Sequence, residues 1–235
     1  MITLSEIENQ VKTFQDRFGV DIIKAEQGSM AWLQTRLGVI TASNAAKAVA
    51  KSGSDTRHTY MCQLVADVAT GVVEEINSKY TDWGKLHEKA CRASYEFEHE
   101  VEVERVSFIF KDDSFREGVS VDGLARFNYG LVPTEFKCPY NTINYLKFIL
   151  DSEIKKEYKW QCQFGMRVIG SELYHVSQYD PRMKVRPFST IIFERDEKAQ
   201  TTLNDAIPQF IHEMDIMLRD IGLVYGTQWS EAKND

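Results

Sequence analysis

The hydrophobic period of this chain changes partway along and then changes back. Ile7, Val11, Phe14 and Phe18 recur at the spacing of one helix face, and Gly19 follows as the stop. Met61, Leu64, Val65 and Val68 mark a second amphipathic helix ending at Gly71. A third runs from about Trp83 to Phe97, with Trp83, Leu86, Ala90 and Ala93 on one side. After Glu100 the period drops to two. Val101 and Val103, VSFIF (106–110), EGVSVDGLAR (117–126) and LVPTEFK (131–137) read as strands, with FNYG as the turn between the last two. Helices return at NTINYLKFIL (141–150) and over about 153–169, followed by strands at ELYHVSQY and STIIFER. Leu203, Ile207, Phe210, Ile211, Met214, Met217 and Ile221 stripe a long final helix. Helices, clustered strands and helices again predict an α/β fold with a central mixed β-sheet flanked by helices.

Local signals fill in the rest. Thr41 or Ser43 reads as the cap of a helix beginning within 44–50, and KSGSDTRH (51–58) reads as a polar surface loop. No repeat or linker divides the chain, so residues 1–235 are expected to form a single domain with a loose tail at 230–235. Hydrophobic residues make up 43% and charged residues 27%, an ordinary balance that argues against disorder. No run is apolar enough to span a membrane, and the N-terminus lacks the basic-then-apolar order of a secretion signal. A cytoplasmic protein with no membrane partner is therefore expected. Cys62, Cys91, Cys138 and Cys162 form no C-x-x-C pair, which disfavours a disulfide framework, a zinc site or an iron–sulfur cluster. A net charge of −7 argues against a general nucleic-acid coat, yet leaves room for an enzyme that confines positive charge to a channel.

The chemistry concentrates in VPTEFKCPY (132–140). Spacing of two on a strand sends Glu135 and Lys137 to one face. Asp122 sits at a turn glycine by the neighbouring strand, so pairing brings it to Glu135 at one end of the sheet. Two carboxylates and a strand carbonyl, such as that of Phe136, make the oxygen-rich set that magnesium prefers. A lysine beside such a cation completes the parts for phosphodiester hydrolysis. A Lys–Glu pair on a solvated strand face is the structural alternative, and it is common.

Asp122…Glu135-x-Lys137 resembles the motif of PD-(D/E)xK nucleases, with Val121 where the name has proline. Six blocks extend the likeness: EQGSMAWLQTRLGVITAS (26–43), TDWGKLHE (81–88), SVDGL (120–124), EFKCP (135–139), YDPRMK (179–184) and FERDEK (193–198). Together they resemble the lambda-exonuclease-like, YqaJ-type viral recombinase family, in order from about residue 24 to Trp229. The resemblance implies a restriction-endonuclease-like core and a magnesium-dependent 5′→3′ exonuclease. Two ions per site are implied, with manganese as a substitute. Such an enzyme digests one strand of duplex DNA and leaves a 3′ overhang. It further implies a homotrimeric ring around the DNA and, as partner, a single-strand annealing recombinase.

Carried over residue by residue, the resemblance makes Asp122 and Glu135 metal ligands with the Phe136 carbonyl, and Lys137 the catalytic lysine. Glu88 becomes an acidic residue near the metals and Gln161 a support of the active site, with Tyr158 one turn earlier on the same helix face. Arg36, Ser43 and Ser120 become the holders of a DNA 5′-phosphate. Each has a plainer reading, as a solvated helical glutamate, a packed tyrosine, a surface arginine or an ordinary cap. His87 stands where the family shows tyrosine, the 51–58 loop is shortened to two basic residues, Lys51 and Arg57, and the helix in 1–20 precedes the family's start. Two other readings remain open at this point: a restriction-type endonuclease of the same fold, and a catalytically silent DNA-binding protein.

Overall fold

A computed structural model of the chain describes residues 2–22, 25–73, 79–152 and 154–230. Five strands form a mixed sheet in the order β2–β5–β6–β7–β8: Val103–Glu104, Gly123–Phe127, Gly130–Lys137, Leu173–Tyr179 and Phe188–Glu194. β5 and β6 form the expected antiparallel hairpin, β6 and β7 run parallel, and β7 and β8 antiparallel. The parallel step needs a crossover, supplied by α6 (Thr142–Asp151) and α7 (Lys156–Ile169). A three-stranded sheet lies beside it in the order β1–β4–β3, from Ile40–Thr41, Glu117–Val119 and Ile109–Phe110.

Residues 117–126 are thus two strands in two sheets, not one. Val119-Ser120-Val121-Asp122 alternates apolar and polar side chains straight across the crossing, so periodicity alone hides the break. The chain leaves the small sheet at Val119 and enters the large one at Gly123, where the Val103 side chain packs against the glycine. A Cβ on Gly123 would lie 2.1 Å from Val103 Cγ1. Ser120, Val121 and Asp122 span the gap, with Val121 buried as an anchor.

The large sheet is covered on both faces. On one, α7 and α8 (Glu197–Asp220) join α1 (Leu4–Phe18) and α4 (Asp55–Thr70) around the main apolar core. On the other, α5 (Lys79–His99) sets Cys91 and Tyr95 against Ala125, Phe136 and Phe188. The sequence placed the inner face of α5 wrongly. Leu86 and Phe97 are 71% and 88% exposed, and the inward stripe is Trp83, His87, Cys91 and Tyr95, spaced by four. Polar tips disguised that stripe, yet the Tyr95 hydroxyl finds a buried partner in His175 Nδ1 at 2.7 Å. Burial then holds the His175 imidazole well below the usual range, at about 4.

Smaller departures have local causes. Neither Thr41 nor Ser43 caps a helix by its side chain; Asn44 Nδ2 and Ser43 Oγ instead meet Thr41 Oγ1. Ser54 caps α4, so the loop closes earlier, and Arg57 points inward to Glu213 and over the Phe210 ring, 5.0 Å from its centroid. α7 starts at Lys156 rather than near 153, and Ile221 is 56% exposed at the end of α8, where Leu218 takes the inner position. Residues 231–235 of the expected tail lie outside the described residues. No described helix is long and apolar enough to cross a membrane.

The opening helix belongs to the core. A capping box at Thr3 and Glu6 starts it, and Gly19 in the left-handed region ends it. Phe14, fully buried, meets Phe18, Phe110, Phe115 and Trp229 at centroid distances of 4.9–5.1 Å. Phe14→Ala should therefore cost about 3–5 kcal/mol in urea unfolding; a cost under ~1 kcal/mol would make α1 an appendage rather than a core helix.

Candidate active site

Asp122 is held at the sheet break from two directions. Its amide donates to the Thr134 carbonyl (3.1 Å), and its Oδ2 accepts the Phe136 amide (2.6 Å). An extended residue sends its N–H and C=O to the same edge, so the Phe136 carbonyl faces the Asp122 side too. Period two turns Phe136 toward α5, where its ring meets Tyr95 at 5.5 Å, and turns Glu135 and Lys137 toward α7. There Glu135 takes an ion pair from the Lys137 ammonium on Oε1 and a hydrogen bond from the Tyr174 hydroxyl on Oε2 (3.1 Å). Tyr158, at the first turn of α7, lies with its ring centroid 5.7 Å from Lys137 Nζ.

Electrostatics follow from this packing. Burial, then the neighbouring Glu135 charge, pushes the Asp122 carboxyl up to about 8, against the pull of Lys137 and the Phe136 amide. Burial alone would depress the Lys137 ammonium, but Glu135 and Asp122 outweigh it and raise it above its ordinary value. Glu88 adds a further charge that raises Asp122. Such a site holds more negative charge than its own lysine balances, which suits a divalent cation. Among the described residues no three Asp, Glu, His or Cys side chains form a ready cage. Two carboxylates, a carbonyl on the same edge and water could together hold a hard divalent cation that keeps part of its hydration.

Two clefts meet at Asp122 and Glu88. One, of about 740 Å³, is lined by Lys85, Lys89, Arg92 and Arg105 together with Gln27 and Ser107. The other, of about 600 Å³, carries Lys137, Lys147, Lys155, Tyr158 and Gln178. A chain of net charge −7 thus gathers lysine and arginine around Asp122 and Glu88.

Arg36 and Ser120 meet in the structure. Arg36 Nη1 donates to Ser120 Oγ (3.2 Å), and the guanidinium stacks 4.1 Å from the Trp32 ring, whose Nε1 donates to the same hydroxyl (3.0 Å). Ser43 is exposed on the turn after β1, where its hydroxyl meets that of Thr41. Gln161 is half-buried one turn beyond Tyr158 and makes no side-chain hydrogen bond among the described residues. His87 lies against the Trp83 ring (4.2 Å), its Nε2 without a partner. Sequence reasoning missed Trp32, Tyr174 and Gln27, whose Nε2 donates to the Val121 carbonyl (2.8 Å). Gln27 and Trp32 sit inside the first matched block, so the signal was present. Tyr174 reads as an ordinary core tyrosine until β6 and β7 are aligned.

A family model, the YqaJ-like viral recombinase domain, matches residues 31–172, more than half of the chain. The chain belongs to that family. The solved alkaline exonuclease LHK-Exo from Laribacter hongkongensis superposes with a TM-score of 0.73 and 27% identity, over 82% of this chain and 96% of that one. It has also been solved in complex with dAMP. A phage-related exonuclease from Haemophilus somnus 129PT shares the fold at TM-score 0.62 and 11% identity, over 78% and 96% of the two chains. A short Escherichia coli K12 protein, ExoD, is 38% identical over 76 residues, 32% of this chain and 87% of its own. The fold is thus the α/β core of the PD-(D/E)xK nucleases, as the residues at Asp122, Glu135 and Lys137 suggested.

Tyr174→Phe tests how the site is held. The variant leaves Glu135 Oε2 buried without its donor, and should lose about 1.5–3 kcal/mol in denaturant unfolding. An unchanged midpoint would mean that the hydroxyl does not fix Glu135.

Proposed function

We propose that residues 1–235 form one exonuclease domain that hydrolyses one strand of duplex DNA 5′→3′ from a phosphorylated end. The observation carrying this reading is the convergence of Asp122, Glu135 and Lys137 between two basic clefts in a chain of the YqaJ-like family. Asp122, Glu135 and the Phe136 carbonyl, with Glu88 nearby, would hold magnesium. When bound, the ions offset phosphate charge and acidify water. Lys137 shares Glu135 with that cation site, and its ammonium is free to face a phosphate or a water whenever Glu135 is otherwise engaged. Tyr158 and Gln161 border this region on α7, and Arg36 with Ser120 would receive the 5′-phosphate, Ser43 extending that pocket.

Strand polarity, the 3′ overhang, the homotrimeric ring and an annealing recombinase as partner belong to the same proposal. A ring explains how an enzyme acidic overall stays on DNA, since positive charge need only face the enclosed duplex. Cytoplasmic location in a bacterial host completes the reading.

Linear and covalently closed circular duplexes, incubated with magnesium, test it directly. Linear DNA should be degraded and circles spared, and Lys137→Ala should abolish cleavage by at least about 10²-fold while DNA still binds. Cutting of circles would favour an endonuclease; a fully active Lys137→Ala protein would remove the lysine from the chemistry. Arg36→Ala should erase most of the preference for 5′-phosphorylated over 5′-hydroxyl ends, a difference of about 1.5–3 kcal/mol for a charge-assisted contact. An unchanged preference would place the phosphate elsewhere.

A further inference from the structure

YDPRMK matched a family block, yet none of its residues enters the chemistry above. Asp180 follows β7 and is fully buried. Its Oδ1 accepts from Arg182 Nε (2.7 Å) and from the Arg182 amide (3.0 Å), and its Oδ2 from Arg182 Nη2 (2.8 Å) and Thr142 Oγ1 (2.8 Å). So fixed, the guanidinium donates onward to the carbonyls of Tyr140 (2.9 Å) and Pro139 (3.1 Å). Its plane lies 4.7 Å from the ring of Trp83 on α5, which also meets the Tyr140 ring edge-on at 5.7 Å. The hydrogen bonds lower Asp180 against the effect of burial, and Asp180 raises Arg182, so both stay charged.

One guanidinium therefore touches two walls of the 600 Å³ cleft. Pro139 and Tyr140 stand two and three residues after Lys137 and line that cleft. Trp83 precedes Glu88 by little more than one helical turn, and Glu88 lines the cleft from the α5 side. Lysine could keep the charge but not the fork, because it offers neither two parallel donors to a carboxylate nor a flat face to an indole.

We propose that Arg182, oriented by buried Asp180, is a positioning residue of the active site: it clamps the segment leaving Lys137 to the helix carrying Glu88 and so fixes the spacing of lysine and carboxylates. The inference rests on the nuclease reading above. It separates a rate effect from a folding effect, since the clamp acts on the geometry of the reacting groups and not on the cleft's charge.

Arg182→Ala, Arg182→Lys and the unmodified protein are compared on linear 5′-phosphorylated duplex with magnesium, with thermal melting and DNA affinity measured on the same preparations. kcat per folded molecule should fall on the order of 10²-fold in Arg182→Ala, the cost of a displacement near 1 Å. KM should change little, Arg182→Lys should restore only a small part, and added guanidinium ion should raise kcat in Arg182→Ala alone. If Arg182→Ala does not fold, Arg182→Lys, whose charge still meets Asp180, carries the comparison. Loss of activity that only tracks loss of folded protein, or an unchanged kcat in Arg182→Lys, would overturn the clamp while leaving the nuclease intact. No cleavage of linear duplex by the unmodified protein would overturn the nuclease reading and the clamp with it.

Discussion

Two carboxylates buried side by side repel one another and lose the water that stabilised them, so a fold that keeps them together must supply other partners. Here the partners come from two adjacent strands. The Phe136 amide serves Asp122 from β6, the Tyr174 hydroxyl serves Glu135 from β7, and Lys137 brings the balancing charge from the same strand as Glu135. Asp122 is still pushed up to about 8, so the pairing is incomplete. That shortfall is what a divalent cation would relieve. The rest of the architecture can be read as the means of holding these groups where they do not relax apart.

The sheet break does most of that holding. Had residues 117–126 continued as one strand, Asp122 would have stood mid-ladder with its side chain on a sheet face. Because the chain crosses between sheets at Ser120–Asp122, the carboxylate turns toward the end of β6 and receives an amide of that strand. Parallel pairing of β6 with β7 then matters, since it sets Glu135 opposite Val176 and Lys137 opposite Gln178 and brings Tyr174 within reach of Glu135. Alternation along β6 divides the labour. Phe136 secures the α5 side through Tyr95, and its two charged neighbours face α7.

Much of this was legible in the sequence, and what was missed has a common cause. Strong, long periodic segments such as α1, α4 and α8, and the 123–137 hairpin, follow from apolar spacing and turn residues alone. Glu135 and Lys137 on one face required only the two-residue period. What the pattern could not reveal depends on tertiary partners. Tyr95 and His175 look polar until they meet, so α5 was turned the wrong way round; Arg57 looks like a surface charge until Glu213 and Phe210 enclose it. The break within 117–126 is invisible because residues 119–122 alternate apolar and polar straight across it.

The short path between Ser120 and Asp122 carries a geometric consequence. Two residues of extended chain span at most about 7 Å. If Arg36 and Ser120 receive a terminal phosphate, Asp122 stands about one nucleotide step away along the same backbone run. The distance from the end to the bond cut would then be written into the chain connectivity and not into a flexible loop. Trp32 stiffens this ruler, since its indole both stacks on Arg36 and donates to Ser120, and Gln27 ties the intervening Val121 carbonyl. An enzyme that must repeat one cut many times without drifting in register needs its phosphate pocket and its carboxylates on one rigid segment. With the phosphate at Arg36 and Ser120, the crossing between the two sheets would supply that segment.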